Sequence, residues 1–343
     1  MRSPVHLRLV GGSLVAFLAA GCAASGHGSA RQAATSSPTT ATSAPATGPS
    51  SVPVTVGATT STTTPAAGLT SQFACGTETP AAYAASGPIR VEAVDGAYSA
   101  VLSGTLTATP GTQTLDGGRL TTSRAGQVVF SFALAPPTSA GPALVPWSLT
   151  SSPTGVDQPV CLAQFAGSSA PTALVGIFTG GAHCCVVVAG LPLGGPGAGT
   201  AVYWGPADTG AIVKSAGSSA VIATADASFD YVLASHAGSG MPILVLALQN
   251  GRFVDITQQH RDLLYADDRQ MWNNYLQSQD TEGLGVLAAW VADECRIGTS
   301  QHAFATLDLL NSQGKLQNKF GTWPSGSQYI SQLKTFLSQH GYC

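Results

Sequence analysis

The chain has 343 residues, only 9% of them charged, with 14 Lys and Arg against 17 Asp and Glu for a formal net charge of -3. No basic stripe exists to neutralise phosphates, which argues against nucleic acid as a partner, and no apolar run is long enough for a polytopic membrane protein. With 44% hydrophobic residues, most of the chain can bury a core.

The first residues read as an export signal. Arg2 and Arg8 form a short positive region, Leu9 to Ala19 an apolar stretch too short to span a bilayer, and Ala20 and Gly21 a small-residue processing site before Cys22. The run Leu18-Ala19-Ala20-Gly21-Cys22 resembles the bacterial lipobox, with Leu18 one place further from the cysteine than the commonest pattern. That resemblance implies cleavage after residue 21 and a diacylglyceryl thioether on Cys22. Two or more acyl chains, at about 0.8 kcal/mol per buried methylene, anchor a protein stably. The expected location is therefore extracytoplasmic, with the outer leaflet of the cytoplasmic membrane as partner. Loss of Arg2 and Arg8 with the signal leaves 12 bases against 17 acids.

Residues 22–70 form a tether of Ala, Ser, Thr, Pro and Gly whose single charge is Arg31. Such a segment buries too little apolar surface to offset its chain entropy, so disorder is expected. It resembles the O-glycosylated linkers of actinobacterial lipoproteins, and reads equally well as a plain spacer.

From Phe73 the composition changes, and about 270 residues can form one large domain or two smaller ones. Ile89, Val91 and Ala93 alternate with Arg90 and Glu92, Asp95-Gly96 turns the chain, and Tyr98 to Thr107 returns it. Asp116-Gly117-Gly118 is a second hairpin signal, Val128 to Leu134 a further strand, and Pro136 to Pro146 a loop. Residues 159–257 hold two similar units of short strands and glycine turns. The first runs through Cys161–Phe165, Ala173–Phe178 and His183–Val188. The second runs through Ala220–Thr224, Phe229–Leu233 and Ile243–Leu248, then the turn Asn250-Gly251 and Phe253–Ile256.

After Thr257 the pattern turns helical. Leu284, Leu287, Val291 and Cys295 share one face, as do Phe304, Leu307 and Leu310, and Tyr329, Leu333, Phe336 and Leu337 mark a last helix. Ser325 and Gln328 are spaced as a capping box, and Gly298, Gly314 and Gly341 stand where helices stop. The expected fold class is α+β: a β-rich body over 71–257, a sandwich or partial propeller-like set of sheets, with a helical C-terminal subdomain over 258–343.

Gly180-Gly181-Ala182-His183-Cys184-Cys185, Phe229-Asp230-Tyr231, Arg252 to Thr257, Trp323-Pro324 and Gly341-Tyr342 together resemble a group of actinobacterial secreted proteins and lipoproteins of unknown function. The likeness covers residues 159–343. That group is distantly similar to FG-GAP-like β-propeller repeats, which carry calcium loops of alternating aspartates and glycines. Here the corresponding loop, Ala166 to Pro171, holds no carboxylate, and the second offers only Asp226 and Asp230. Calcium takes six or more oxygens, so no site is expected.

With Cys22 lipidated, Cys75, Cys161, Cys184, Cys185, Cys295 and Cys343 make an even set, which outside the cytoplasm suggests three disulfides. Cys295–Cys343 is the expected clamp on the last helix. Cys184 and Cys185 point to opposite faces of a strand. Either they reach Cys161 and Cys75 separately, or they bond to each other and leave Cys75 for Cys161, the arrangement preferred here.

No catalytic constellation emerges. His183-Cys184-Cys185 has zinc-ligand types, but adjacent residues do not converge on one tetrahedral ion, so neither a metal nor any other cofactor is expected. Ser239 in Gly238-Ser239-Gly240, near His236, lacks the G-x-S-x-G elbow. Asp226 with Asp230, or Asp267 with Asp268, are conceivable acid/base carboxyls, but Asp267-Asp268 reads more simply as acid in a helix's first turn; Trp147, Tyr203 and Trp204 are candidates for a ligand groove that read more simply as core or half-buried aromatics. The chain is thus expected to be a binding or structural module of the cell envelope without chemistry of its own, contacting an envelope protein or glycan. The alternative is an envelope hydrolase acting on glycan or peptide, which a cleft with two facing carboxyls of raised pKa would favour.

Overall fold

The computed structural model describes residues 69–76, 86–109, 112–134, 145–150, 158–179, 184–194, 201–206, 209–278, 282–319 and 322–343, without the side chains of Thr109, Thr112, Cys184, Cys185 and Trp204. The export signal, Cys22, nearly all of the tether and His183 lie outside the described residues. The described part is α+β, as the pattern predicts, with antiparallel sheets that do not close and a helical C-terminal region.

The strands are β1 (Phe73–Cys75), β2 (Gly87–Asp95), β3 (Tyr98–Thr109), β4 (Thr112–Arg124), β5 (Gln127–Ala133), β6 (Val145–Pro146), β7 (Val160–Ala163), β8 (Thr172–Phe178), β9 (Cys184–Pro192), β10 (Ala201–Pro206), β11 (Ile212–Ala216), β12 (Ser219–Ala225), β13 (Ile243–Gln249) and β14 (Arg252–Asp255). They form a meander β2-β3-β4-β5, a sheet β1-β7-β8-β9-β10 with β6 also paired to β8, and a second meander β11-β12-β13-β14. The two similar units of the sequence therefore belong to different sheets.

The sheet containing β7 to β9 is buried on both faces, which is why its strands read as unbroken apolar runs rather than alternations. Val160, Leu162, Ala173, Val175, Ile177, Ala189 and Leu191 pack with Val91, Leu102 and Leu120 of the first meander. Cys161, Ala163, Leu174, Val186 and Val188 pack with Val213, Ile222 and Val245 of the last. In β2 only one face is buried, so Ile89, Val91 and Ala93 alternate with exposed neighbours as their sequence predicts.

Three β-region expectations need correction. Val145–Pro146, the end of the segment read as a loop, forms β6 against Ile177 and Phe178. Asp116-Gly117-Gly118 makes no hairpin; β4 runs straight through it. Ser103 pairs with Arg119 and Thr105 with Asp116, so Gly104 faces both Gly117 and Gly118. This is a bulge with Gly117 at φ 62°. The tight turn lies instead at Ala125-Gly126, both at positive φ, between Arg124 and Gln127. Phe229 to Leu233 is not a strand either. Asp226 accepts from the Ser228 N–H and starts a short 3-10 turn over Ala227–Phe229, and the irregular connection from there to β13 packs against the helices through Phe229, Leu233 and Met241.

The helices are α1 (Arg261–Ser278), α2 (Gly283–Ile297), α3 (Ser300–Ser312) and α4 (Gly326–Gln339). Leu287, Val291, Leu307, Tyr329, Leu333 and Leu337 are buried together. Gly298, Gly314 and Gly341 follow α2, α3 and α4 at φ 95°, 68° and 72°. Ser325 occupies the cap position of α4, but its hydroxyl accepts from the Asn318 N–H at 2.8 Å rather than capping the helix. Asp267 and Asp268 lie in the second turn of α1, whose first-turn acid is Asp262. No described helix is long and apolar enough to cross a membrane.

Candidate functional site

A groove of about 420 Å³ opens among α1, α2 and α3, lined by Asp268, Arg269, Trp272, Asn273, Trp290, Glu294, His302 and Thr306. Helical spacing puts Asp268, Arg269 and Trp272 of α1 on the face that meets Trp290 and Glu294 of α2. The Trp272 and Trp290 rings lie 4.7 Å apart at 47°, and the His302 ring of α3 stands edge-on to Trp290 at 6.2 Å. His302 Nδ1 is 3.3 Å from Glu294 Oε2.

Two carboxyl pairs join α1 to α2 beside these rings. The Asp268 carboxyl is pushed up to about 6 by burial and by the charge and hydrogen bond of Glu294, with Arg269 opposing. Behind it, Asp293 is fully buried, and burial with the charge of Asp267 drives its carboxyl well above the ordinary range. Asp267 is raised by burial as well, although hydrogen bonds from Asp293 and from the Ile243 N–H (2.9 Å) oppose the shift. Two carboxyls in hydrogen-bond contact share a proton, because both cannot ionise at that separation. Asp293 is the more deeply buried and neither of its oxygens receives a donor, whereas Asp267 accepts from the Ile243 amide, so the shared proton is assigned to Asp293.

The other singled-out residues fall elsewhere. Cys295 and Cys343 are bonded, as expected, and so are Cys75 and Cys161, which face each other in the β1–β7 register. That second bond agrees with the preferred arrangement of the remaining cysteines; the side chains of Cys184 and Cys185 lie outside the described residues. Asp230, His236 and Ser239 do come together. His236 Nδ1 lies 2.9 Å from Asp230 Oδ1, while the Ser239 hydroxyl donates to the Ser235 carbonyl at 2.9 Å and accepts from the Tyr231 N–H. A hydroxyl so engaged staples a turn.

Gly238 and Gly240 have their own reason. A Cβ at Gly240 would lie 2.7 Å from Val286 Cα, and one at Gly238 would strike Glu282. The Gly-Ser-Gly run is thus a packing seam against the start of α2. Asp226 accepts from Tyr342 Oη at 2.6 Å. Trp147 packs on Phe178 at 5.2 Å, and Tyr203 Oη donates to the Ala225 carbonyl, its phenol pushed up to about 12, chiefly by burial. Among the described residues no group of three or more His, Cys, Asp or Glu side chains is placed to hold a metal.

A family model described as the sll0997 C-terminal domain matches residues 264–341, which include every groove residue. The probable thylakoid lumen protein sll0997 of Synechocystis is 30% identical over 146 residues, 40% of this chain. The matched part spans 43% of that relative's own length. No solved structure matches the chain.

Proposed function

We propose that this chain is an extracytoplasmic ligand-binding module, lipid-anchored through Cys22, with the groove among α1, α2 and α3 as its binding site. The carrying observation is the groove itself: two tryptophans, a carboxyl pair, Arg269 and His302 converge on one cavity of ligand size. Its residues lie within the stretch matched by the sll0997 C-terminal domain, and the relative's printed name places that protein in a lumen. The disulfides and the export signal support a location outside the cytoplasm.

The binding reading is tested by thermal shift of the purified full chain against a panel of cationic, neutral and anionic small molecules. A Thr306→Trp variant, which fills the groove, serves as control. At least one compound class should raise the Tm of the wild type and leave the variant unmoved; equal shifts in both, or none in either, overturn the reading. For the anchor, labelled palmitate should enter the wild type, and Cys22→Ala should lose the label and move from membrane pellet to medium.

A second reading, an envelope hydrolase, draws on the raised Asp268 carboxyl, which titrates near the range useful for proton transfer. Against it stands the contact between Asp268 and Glu294, since glycosidase carboxyls stand about 5–9.5 Å apart across the substrate. Release of glycan or peptide fragments by the wild type, lost in Asp268→Asn, would favour this reading over pure binding.

A further inference from the structure

We propose that the groove takes an organic cation, whose ammonium group sits against the Trp272 and Trp290 rings and pairs with the Asp268 and Glu294 carboxyls; this rests on the reading of the groove as a binding site. Three features of the cavity favour a positive charge. The first is its aromatic wall. Two indole rings 4.7 Å apart border the same space, and indole is the strongest of the aromatic faces for a cation.

The second is the charge balance. Asp268 on α1 faces Glu294 on α2, with Asp267 and Asp293 behind them. The groups that oppose these four acids are Arg269, exposed on α1, Lys214 of β11, which acts on Asp267, and the His302 ring on α3, against Glu294. The nearby Arg296 guanidinium is committed to Asp255 Oδ2 and the Ile243 carbonyl, each at 2.9 Å. An anion entering the groove would add to the repulsion, and a neutral molecule would leave it in place. A cation removes it.

The third feature is the Asp268 carboxyl itself. It lines the groove, and its burial beside Glu294 works against its ionising. A primary ammonium brings both the N–H groups and the charge. Where Asp268 still holds its proton, below about pH 6, entry of the cation releases that proton to solvent. Binding therefore tightens as pH rises from 5.0 to 7.5.

The test uses three probes of similar length and different charge: 1,5-diaminopentane, 1,5-pentanediol and glutarate, titrated into the purified full chain with tryptophan fluorescence as readout. The diamine should bind saturably and at least about tenfold more tightly than the diol, the range a partly desolvated cation–π contact and ion pair can supply. Asp268→Asn and Trp272→Phe should each weaken it several-fold, with far-UV circular dichroism melts confirming that both variants fold. Asp268→Asn should also remove most of the pH dependence. Equal binding of diol and diamine, or tighter binding of glutarate, overturns the cation and leaves the groove a site. A silent diamine, when another panel compound protects the wild type and not Thr306→Trp, overturns the cation alone. Silence of every compound takes the binding module with it.

Discussion

The Arg296 guanidinium lies 4.2 Å over the ring of Tyr342, one residue along from the bonded pair Cys295 and Cys343. Arg296 also reaches Asp255 at the end of β14, and Tyr342 donates to Asp226 beyond β12. The last residues of the chain thus close a joint between the helices and the last sheet, with the disulfide holding the two ends of that joint together.

Breaking the disulfide should loosen this joint first. The bond spans 48 residues, which on chain-entropy grounds is worth about 4 kcal/mol at most. The double variant Cys295→Ser/Cys343→Ser should lose about 3 kcal/mol and melt about 5–10 °C lower. Hydrogen exchange should rise earliest in α4 and around Tyr342. Unchanged melting would show that the non-covalent contacts of Arg296 and Tyr342 suffice.

Gly285 sits where α2 meets the loop that carries Ser239. A Cβ there would strike the Gly238 carbonyl and come within 2.9 Å of both Ala234 Cβ and Ser239 Cα. Backbone cannot swing aside as a flexible side chain can. Gly285→Ala should therefore destabilise by about 1–3 kcal/mol despite alanine's better helix propensity. Chemical denaturation measures it; a neutral or stabilising result would mean that α2 can slide along the loop.

Acidification should at first stabilise the protein. The Asp268 carboxyl is raised, so the folded state holds a proton that the unfolded state has released between the ordinary aspartate range and about pH 6. Its stabilising contribution is complete below the unfolded value and is lost as pH rises through about 6; the raised Asp267 and Asp293 act in the same direction. Two units would be worth about 2.7 kcal/mol, and partial exposure of Asp268 cuts this to about 1 kcal/mol. The Tm should climb by about 2–4 °C between pH 7.5 and 5.0. Asp268→Asn should flatten that slope in calorimetry; a wild-type Tm that falls over the same interval contradicts the assignment. Asp95 works the other way at lower pH: burial pushes it up, but the hydrogen bonds from Ser71 and Thr70 outweigh this and hold it below the ordinary range.

Where one physical signal dominates, the sequence is a good guide to the structure. The alternation of β2, the Asn250-Gly251 turn with both residues at positive φ, and the glycines that end α2, α3 and α4 all follow from local chemistry. Asp116-Gly117-Gly118 misleads because the same residue types serve a hairpin and a bulge, and the pairing of Ser103 and Thr105 across the strand decides between them. The groove is less legible still. Trp272, Trp290 and His302 come from separate helices, and only their packing brings the rings together. One signal was available: the acidic doublets Asp267-Asp268 and Asp293-Glu294, the second set in the otherwise apolar run from Leu284 to Cys295. An acid inside such a run must be paired or neutral.

That pairing makes a sharply asymmetric prediction for Asp267 and Asp293. Asp293 is read as the protonated member, so Asp293→Asn keeps a donor facing the Asp267 carboxylate and removes a buried ionisable group. It should be neutral or slightly stabilising at pH 7.5, and more so at pH 9, where the native carboxyl is pressed to ionise. Asp267→Ala instead leaves the Ile243 N–H without its acceptor and Asp293 without its partner, and should cost about 2–4 kcal/mol. Urea melts of the two variants at both pH values separate the roles. Equal losses would show that neither member is a fixed donor, and a large loss in Asp293→Asn alone would place the proton on Asp267.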